Sequence, residues 1–299
     1  MKTHRQSYEQ IRSEKTLIAV TGLKRKAFEE LCEKFGACWQ AHIAEYRLDG
    51  SPRQRRLGRK RADILPSDAD KLFFILKYLK NNPLQEELAH DFAMPQPHAN
   101  LWIHALLPVI RQTLKAMSLS PQRTSENLSE ILDRYEYVLL DGTERRIERP
   151  QDAEEQKAVY SGKKKSPTAK NIVITAPDKR ILFASTTAEG SAHDKTLTDD
   201  AGLLLSAPVV VLADSGFQGL SLGEAAILLP CKKPRGKARP EHHRRWNRVL
   251  ARARVTVENA LANAKTFRIV KDVIRLKTAE LRDTVFEIAC GLANLRLNH

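Results

Sequence analysis

Two short apolar runs in the second half of the chain end abruptly in an aspartate. Val138–Leu140 leads into Asp141, and Val209–Leu212 leads, after one alanine, into Asp214. Short runs of β-branched and aliphatic residues are typical of buried strands. A third carboxylate, Glu258, lies on a segment with the apolar spacing of a helix. A fold that brings two strand ends and one helix together would gather these three carboxylates.

Other short apolar runs complete a sheet. The predicted strands are 137–140, 171–176, 181–184, 209–212 and 226–229, and the predicted helices are 193–205, 247–267 and 280–295. Ala176–Lys179 has the composition of a turn, so the second and third strands should form a hairpin. This order of elements is that of an RNase H-like mixed sheet, in an α+β or α/β domain.

The first part of the chain, residues 16–120, has helical periodicity instead. Thr21 is a candidate N-cap for a helix that ends near Gly36. Ser67 and Asp70 form a capping box ahead of an apolar-periodic segment that Asn81–Pro83 should end. We therefore expect a helical domain here.

Residues 83–114 fit a helix-turn-helix. The apolar positions that would face inward are Leu88, Ala89 and Phe92 on the first helix and Ala99, Trp102 and Ile103 on the second, with Ala93–Pro95 as the turn. An ordinary helical hairpin is the alternative. In the DNA-reading alternative, Gln96, His98 and Asn100 would enter a major groove, where Asn and Gln can pair with adenine.

A polar stretch around Pro121 separates the two parts of the chain. We predict a DNA-binding helical domain over residues 1–120, a linker over 121–134 and the sheet-containing domain over 135–299.

The charge of the chain indicates a polyanionic partner. The formal net charge is +14, and the excess is clustered in Arg53–Arg61, Lys163–Lys165 and Lys232–Arg245. Such blocks favour contacts with nucleic-acid phosphates. A membrane partner is not expected, since no apolar run approaches the roughly 18 residues of a spanning helix. The four cysteines lack zinc-site spacing and fit reduced cytoplasmic thiols.

Carboxylates are the ligands that phosphodiester chemistry needs. Two divalent metals can neutralise the phosphate, activate the attacking oxygen and stabilise the leaving oxygen. Hard oxygen ligands suit Mg²⁺ or Mn²⁺. Asp141, Asp214 and Glu258 are the candidate ligands, although a single Asp at a strand end is more often a turn residue. At about 100° per residue, Arg254 and Lys265 fall on the same polar strip of the helix as Glu258.

Several motifs, in a consistent order, resemble one family. They are Leu140–Glu144, Tyr160–Lys165 with Thr168 and Lys170, Gly190–Asp194, Asp214–Gly219, Lys232–Lys237, and Asn247 followed by Arg254, Glu258 and Lys265. The chain resembles bacterial insertion-sequence transposases of the DDE superfamily, in the Harbinger-like endonuclease branch, whose catalytic domain follows a similar helix-turn-helix.

The resemblance implies an RNase H-like fold with a catalytic triad of Asp141, Asp214 and Glu258 that binds Mg²⁺ or Mn²⁺. It also implies cleavage and strand transfer at terminal inverted repeats of double-stranded DNA, insertion into target DNA, and at least a dimer in the DNA complex. The expected location is the bacterial cytoplasm, at the nucleoid. Phosphate contacts are expected from Lys163, Lys164, Lys165, Lys232, Lys233, Arg235, Arg254 and Lys265.

The chain departs from the family pattern at Ala251, where a tyrosine is common, and at Asn259, where histidine is common. Neither change removes a metal ligand. Two alternatives follow: a helix-turn-helix regulator that has lost catalysis, and an RNase H-like endonuclease without strand transfer. His193 and Asp194 should begin a helix, where Asp194 would order the loop; a direct role as a catalytic base is the other alternative.

Overall fold

The computed structural model describes residues 5–55, 64–206, 208–233, 236 and 238–299 of the chain. The chain divides into two compact units. The helical unit comprises Met1–Ser120, Lys265–Asp272 and Thr284–His299. The sheet unit comprises Pro121–Ala264 and Val273–Asp283. No helix in the described ranges is long and apolar enough to cross a membrane.

The first part of the chain is helical, and the second part contains both strands and helices. They are α1 (Glu14–Thr21), α2 (Arg25–Glu45), α3 (Asp68–Asn81), α4 (Gln85–Asp91), α5 (Gln96–Ala116), α6 (Ser125–Leu132), β1 (Tyr137–Arg146), α7 (Ala153–Val159), β2 (Tyr160–Ser161), β3 (Ser166–Thr175), β4 (Ile181–Ala184), β5 (Ala188–Glu189), α8 (Asp194–Asp200), β6 (Val210–Leu212), β7 (Ala226–Leu228), α9 (Glu241–Ala264), α10 (Arg268–Lys271) and α11 (Ala279–Leu297). Short 3-10 helices lie at Tyr8–Gln10 and Ser215–Phe217.

Capping residues set the limits of α3 as predicted. The Ser67 hydroxyl accepts a hydrogen bond from the Asp70 backbone N–H, and Asn82 ends the helix in the left-handed conformation with φ of 49°. The helix before it differs from the prediction. Thr21 is the last residue of α1, and α2 begins after Lys24 and continues past Gly36 to Glu45. A Cβ at Gly36 would lie 2.8 Å from Asp68 Oδ2, so this glycine permits a close approach and does not end the helix.

The predicted pair of helices over 83–114 is present as α4 and α5. Ala93, with φ of 51°, makes the turn between them. The six apolar positions predicted to face inward are all buried: Leu88, Ala89, Phe92, Ala99, Trp102 and Ile103. Pro97 lies in the first turn of α5, where a missing N–H costs nothing.

The sheet has the mixed topology that the sequence predicts. Its main strand order is β4–β3–β1–β6–β7, with the short β2 and β5 also paired to β3. β1 runs antiparallel to β3 and parallel to β6, and β6 runs parallel to β7. This is the RNase H-like arrangement, so the predicted fold class is confirmed.

Several element limits differ from the prediction. β1 and β3 are longer than their apolar runs because they continue to pair through charged residues, including Glu144 opposite Lys170. α8 ends early, close to Gly202 with φ of 58°. α9 ends at Ala264, so Lys265 lies beyond it.

The two compact units are divided differently from the predicted domains. The predicted linker contains α6, which buries Leu128 and Leu132 in the core of the sheet unit. Residues 284–299 belong to the helical unit, because α11 packs there: Asn294 Nδ2 donates to the Leu119 carbonyl at 2.8 Å. The first segment of the helical unit ends at Ser120.

Candidate active site

The pairing of β1 with β6 places two aspartates at one edge of the sheet. Leu139 is opposite Leu212, and this is the last pair of the parallel ladder. Asp141 and Asp214 each follow two residues later. The prediction that Asp141 ends its strand is wrong, since β1 continues to Arg146 along β3. Asp141 nevertheless lies where β1 has lost its β6 neighbour, and this opens the sheet beside it.

Each aspartate is fixed by a backbone donor close to it. The Gly216 N–H donates to Asp214 Oδ1 at 2.6 Å, and the Gly142 N–H donates to Asp141 Oδ1 at 3.0 Å. Asp214 thereby caps the short 3-10 helix that follows β6. Local hydrogen bonds and strand pairing thus determine where both carboxylates lie.

Arg254, on α9, bridges the two carboxylates. Its Nη2 lies 3.9 Å from Asp141 Oδ1 and 3.7 Å from Asp214 Oδ2. Burial raises the pKa of Asp141, the Arg254 charge lowers it, and the charges of Asp214 and Asp194 raise it further. The pair is therefore a partly desolvated concentration of negative charge that a single cation partly neutralises.

Glu258 lies one helical turn after Arg254, and its side chain is exposed. The apolar side of the same helix is buried as predicted, at Leu250, Val257 and Leu261. In the part of the chain that the structure describes, no three His, Cys, Asp or Glu side chains are close enough to hold one metal ion. The structure thus brings Asp141, Asp214 and Arg254 together, and the described residues include no three-residue group with Glu258 that could hold a metal.

A second charged group adjoins the pair. Lys170 Nζ, on β3, lies 3.3 Å from Glu144 Oε1 and 3.3 Å from Asp194 Oδ1. Lys170 and Asp194 both lie in the family motifs, but those motifs predict no role for Lys170. Glu144 and Lys170 lie just beyond the apolar runs 137–140 and 171–176, so apolar content carries no signal for this pair.

The family of the chain follows from its similarity to known proteins. The family model described as DDE superfamily endonuclease matches residues 140–294, more than half of the chain. The chain belongs to the DDE superfamily endonucleases. A second model, helix-turn-helix of DDE superfamily endonuclease, matches residues 65–116 and confirms the predicted motif. Members of the superfamily use divalent metal ions.

One curated relative extends this finding. It is described as "Probable transposase for insertion sequence element IS702", from Microchaete diplosiphon, and is 32% identical over 138 residues. The match covers 46% of this chain, which spans about half (49%) of the relative's length. No solved structure shows significant similarity to the chain.

The helix-turn-helix of this DDE endonuclease places its predicted reading residues at the start of α5. Gln96 Nε2 and Asn100 Nδ2 both donate to Gln85 Oε1, at 2.6 and 3.1 Å, while His98 is exposed. The two amides are thus held together by one residue of α4.

The residues predicted to contact phosphates differ in exposure and in the groups that they contact. Lys163, Lys164, Lys165, Lys232 and Lys233 are exposed. Arg235 lies outside the described residues, as do most residues of the Arg53–Arg61 block. Arg254 contacts carboxylates in this conformation, and Lys265 belongs to the helical unit.

Proposed function

We propose that this DDE endonuclease is a DNA transposase that binds the terminal inverted repeats of its element and catalyses metal-dependent strand cleavage and strand transfer. Asp141, Asp214 and Glu258 are its proposed metal ligands. The observation that carries the proposal is the pair of aspartates at the edge of an RNase H-like sheet, bridged by Arg254.

The donors fit a divalent metal. Carboxylate oxygens are the ligands that Mg²⁺ and Mn²⁺ prefer. The Arg254 guanidinium lies within 4.0 Å of both aspartates, so the space between them already accommodates positive charge. Burial of Asp141 makes added positive charge favourable. When bound, the metal supplies charge neutralisation at the phosphate and activation of the attacking oxygen.

Each residue of this site has a separate part in the proposal. Asp141 and Asp214 provide the preformed half of the metal site. Glu258 completes it from α9. Arg254, which contacts both carboxylates here, would stabilise the negative charge of the reacting phosphate.

DNA binding rests on other residues. The start of α5 presents Gln96, His98 and Asn100, which are of the types that read base edges. Exposed lysines at 163–165 and 232–233 supply phosphate contacts, as do Lys265 and Arg235 in this proposal. Contacts to about ten phosphates would weaken binding roughly 10³- to 10⁵-fold between low and moderate salt.

The transposase is favoured over the two alternatives by separate observations. Both aspartates remain in place, so nothing in the described site indicates a regulator without catalysis. The description of the relative as a probable transposase favours strand transfer over simple cleavage. We further propose that the enzyme acts as at least a dimer, because two element ends must be processed together, and that it does so at the bacterial nucleoid.

The test is cleavage and strand transfer on a duplex that carries the inverted repeat found beside the gene. Asp141→Asn, Asp214→Asn and Glu258→Gln keep side-chain size and remove a ligand charge, so each should lower the cleavage rate by about 10³-fold or more. The losses should be similar and far from additive, because the ligands act as one unit. Binding to the repeat should persist.

The matched control is Glu241→Gln. Glu241 is an exposed glutamate on the same helix, and its side chain pairs with Arg245. It should cleave like the unmodified enzyme. Full cleavage by folded Glu258→Gln protein would overturn the triad, and cleavage without joining of precut ends would favour the endonuclease alternative.

A further inference from the structure

Lys170 is a buried lysine with a full set of oxygen partners. It is 8% exposed, and its ammonium donates to the Ala192 carbonyl at 2.8 Å in addition to its two ion pairs. One of those partners, Glu144, also accepts a hydrogen bond from the buried Ser161 hydroxyl at 2.8 Å. A buried charge persists only where it is paired and hydrogen-bonded, so the position of Lys170 is fixed.

Asp194, the other partner, occupies the space beside Gly142 and Gly216, which lie close to the two aspartates of the site. A Cβ at Gly142, the residue after Asp141, would lie 2.9 Å from Asp194 Oδ1. A Cβ at Gly216, two residues after Asp214, would lie 3.5 Å from Asp194 Oδ2. One carboxylate thus packs against the two backbone segments that carry Asp141 and Asp214.

We propose that Asp194, anchored by Lys170, is a positioning residue that sets the separation of Asp141 and Asp214. This inference rests on the proposed function of that pair. Asp194 acts through contact: Oδ1 is held by Lys170 against Gly142, and Oδ2 lies against the turn that orients Asp214. Glycine at 142 and 216 leaves the space that the carboxylate occupies.

A direct role as metal ligand makes different demands. Metal binding by a ligand depends on its negative charge. The effect of a positioning residue depends on the size of its side chain and on its contact with Lys170. Asp194→Asn keeps the size and can still accept from Lys170. Asp194→Ala loses both contacts, and Lys170→Met keeps the length of the lysine but loses the anchor. These three variants therefore separate the two roles.

The experiment is Mn²⁺ titration of the DNA-free, full-length protein by electron paramagnetic resonance, with thermal unfolding of each variant. Asp194→Ala and Lys170→Met should weaken Mn²⁺ binding by about tenfold or more, as changes at the partners of metal ligands commonly do. Asp194→Asn should bind close to the unmodified protein. Lys170→Arg keeps the positive charge and should recover most of the Mn²⁺ affinity that Lys170→Met loses. This recovery would show that Lys170→Met acts by removing the ion pair with Asp194.

Thr198→Val is the matched structural control. The Thr198 hydroxyl is buried and donates to the Asp194 backbone carbonyl at 2.8 Å, away from the carboxylate. This variant should lower the unfolding temperature and leave Mn²⁺ binding unchanged.

Two results would overturn the inference. Asp194 would be a ligand if Asp194→Asn and Asp194→Ala lost Mn²⁺ affinity equally while Lys170→Met bound Mn²⁺ as tightly as the unmodified protein or more tightly. Unchanged Mn²⁺ binding in all variants would make its role purely structural. Asp141→Asn serves as the reference: if it also binds Mn²⁺ normally, the proposed metal site itself fails.

Discussion

The start of α5 and the sheet edge with Asp141 and Asp214 are both assigned to DNA, and in both the functional groups are paired within the protein. At α5, two amides donate to the Gln85 side chain. At the sheet edge, two carboxylates share one guanidinium. Neutral hydrogen bonds contribute about 0.5–1.5 kcal/mol net and are easily exchanged for bonds to a base. The carboxylates must instead exchange one cation for another. On the proposed function, binding DNA would require little rearrangement at α5, whereas a metal would compete with Arg254 for the two carboxylates.

The two regions also differ in how completely they are formed. All six inward-facing apolar positions of the helix-turn-helix are buried. The sheet edge has two carboxylates fixed by strand register, while the third proposed ligand, Glu258, is exposed on a helix. We infer that Glu258 joins the site only when metal and DNA are both present.

The largest expected effect is a difference in Mn²⁺ affinity between the Asp141→Asn and Glu258→Gln variants. Without DNA, Asp141→Asn should weaken Mn²⁺ binding by about 10- to 100-fold, since it removes half of the preformed pair. Glu258→Gln should hardly change Mn²⁺ binding, although it is expected to abolish cleavage. Mn²⁺ titration by electron paramagnetic resonance measures both. Equal weakening would show that Glu258 is already a ligand in the free protein.

The next effect concerns the reading of DNA by α5. Asn100→Ala should reduce discrimination between the inverted repeat and random duplex by about tenfold, because a bidentate contact to a base is worth about 1–3 kcal/mol. Competition binding at fixed salt is the measurement. Gln112→Ala, at an exposed position further along α5, is the control and should discriminate normally. If Asn100→Ala discriminates equally well, α4 and α5 are only a packing hairpin.

The smallest effect should come from Arg254. The Arg254 charge lies 3.9 Å from Asp141 and 3.7 Å from Asp214, and its removal should favour metal binding by about 1 kcal/mol, or roughly fivefold, if solvent screens the interaction. Arg254→Gln should therefore tighten Mn²⁺ binding in the DNA-free protein. Arg252→Gln, an exposed arginine on the same helix, should not. Weaker binding in Arg254→Gln would show that Arg254 organises the carboxylates and does not compete with metal.

Apolar spacing was enough to predict most of the fold. The strand β4 and the core of β1 were found because aliphatic runs mark buried strands. The helix-turn-helix was found because Leu88, Phe92, Ala99 and Ile103 have helical spacing. The meeting of Asp141 with Asp214 was predictable as well, since it depends only on two neighbouring strands with aspartates near the ends of their apolar runs.

What the sequence did not show depends on contacts between distant residues. The extension of β1 and β3 is invisible in apolar content, since Glu144 and Lys170 are charged and stabilise the strands through their pairing. Gly36 suggested a helix end because the approach of Asp68 has no sequence signal. The bridging position of Arg254 depends on how α9 packs, which its own periodicity does not determine.

The split of α11 between the two units affects the order in which the protein can fold during synthesis. Its later part, Thr284–Leu297, completes the helical unit, with Gly291 against Leu114 and Glu287 paired with Arg111 at 2.8 Å. These residues leave the ribosome after the entire sheet unit. The helical unit, although most of it precedes the sheet unit in the sequence, is therefore completed last, and a chain terminated by a frameshift before residue 284 would lack the part of α11 that packs in it.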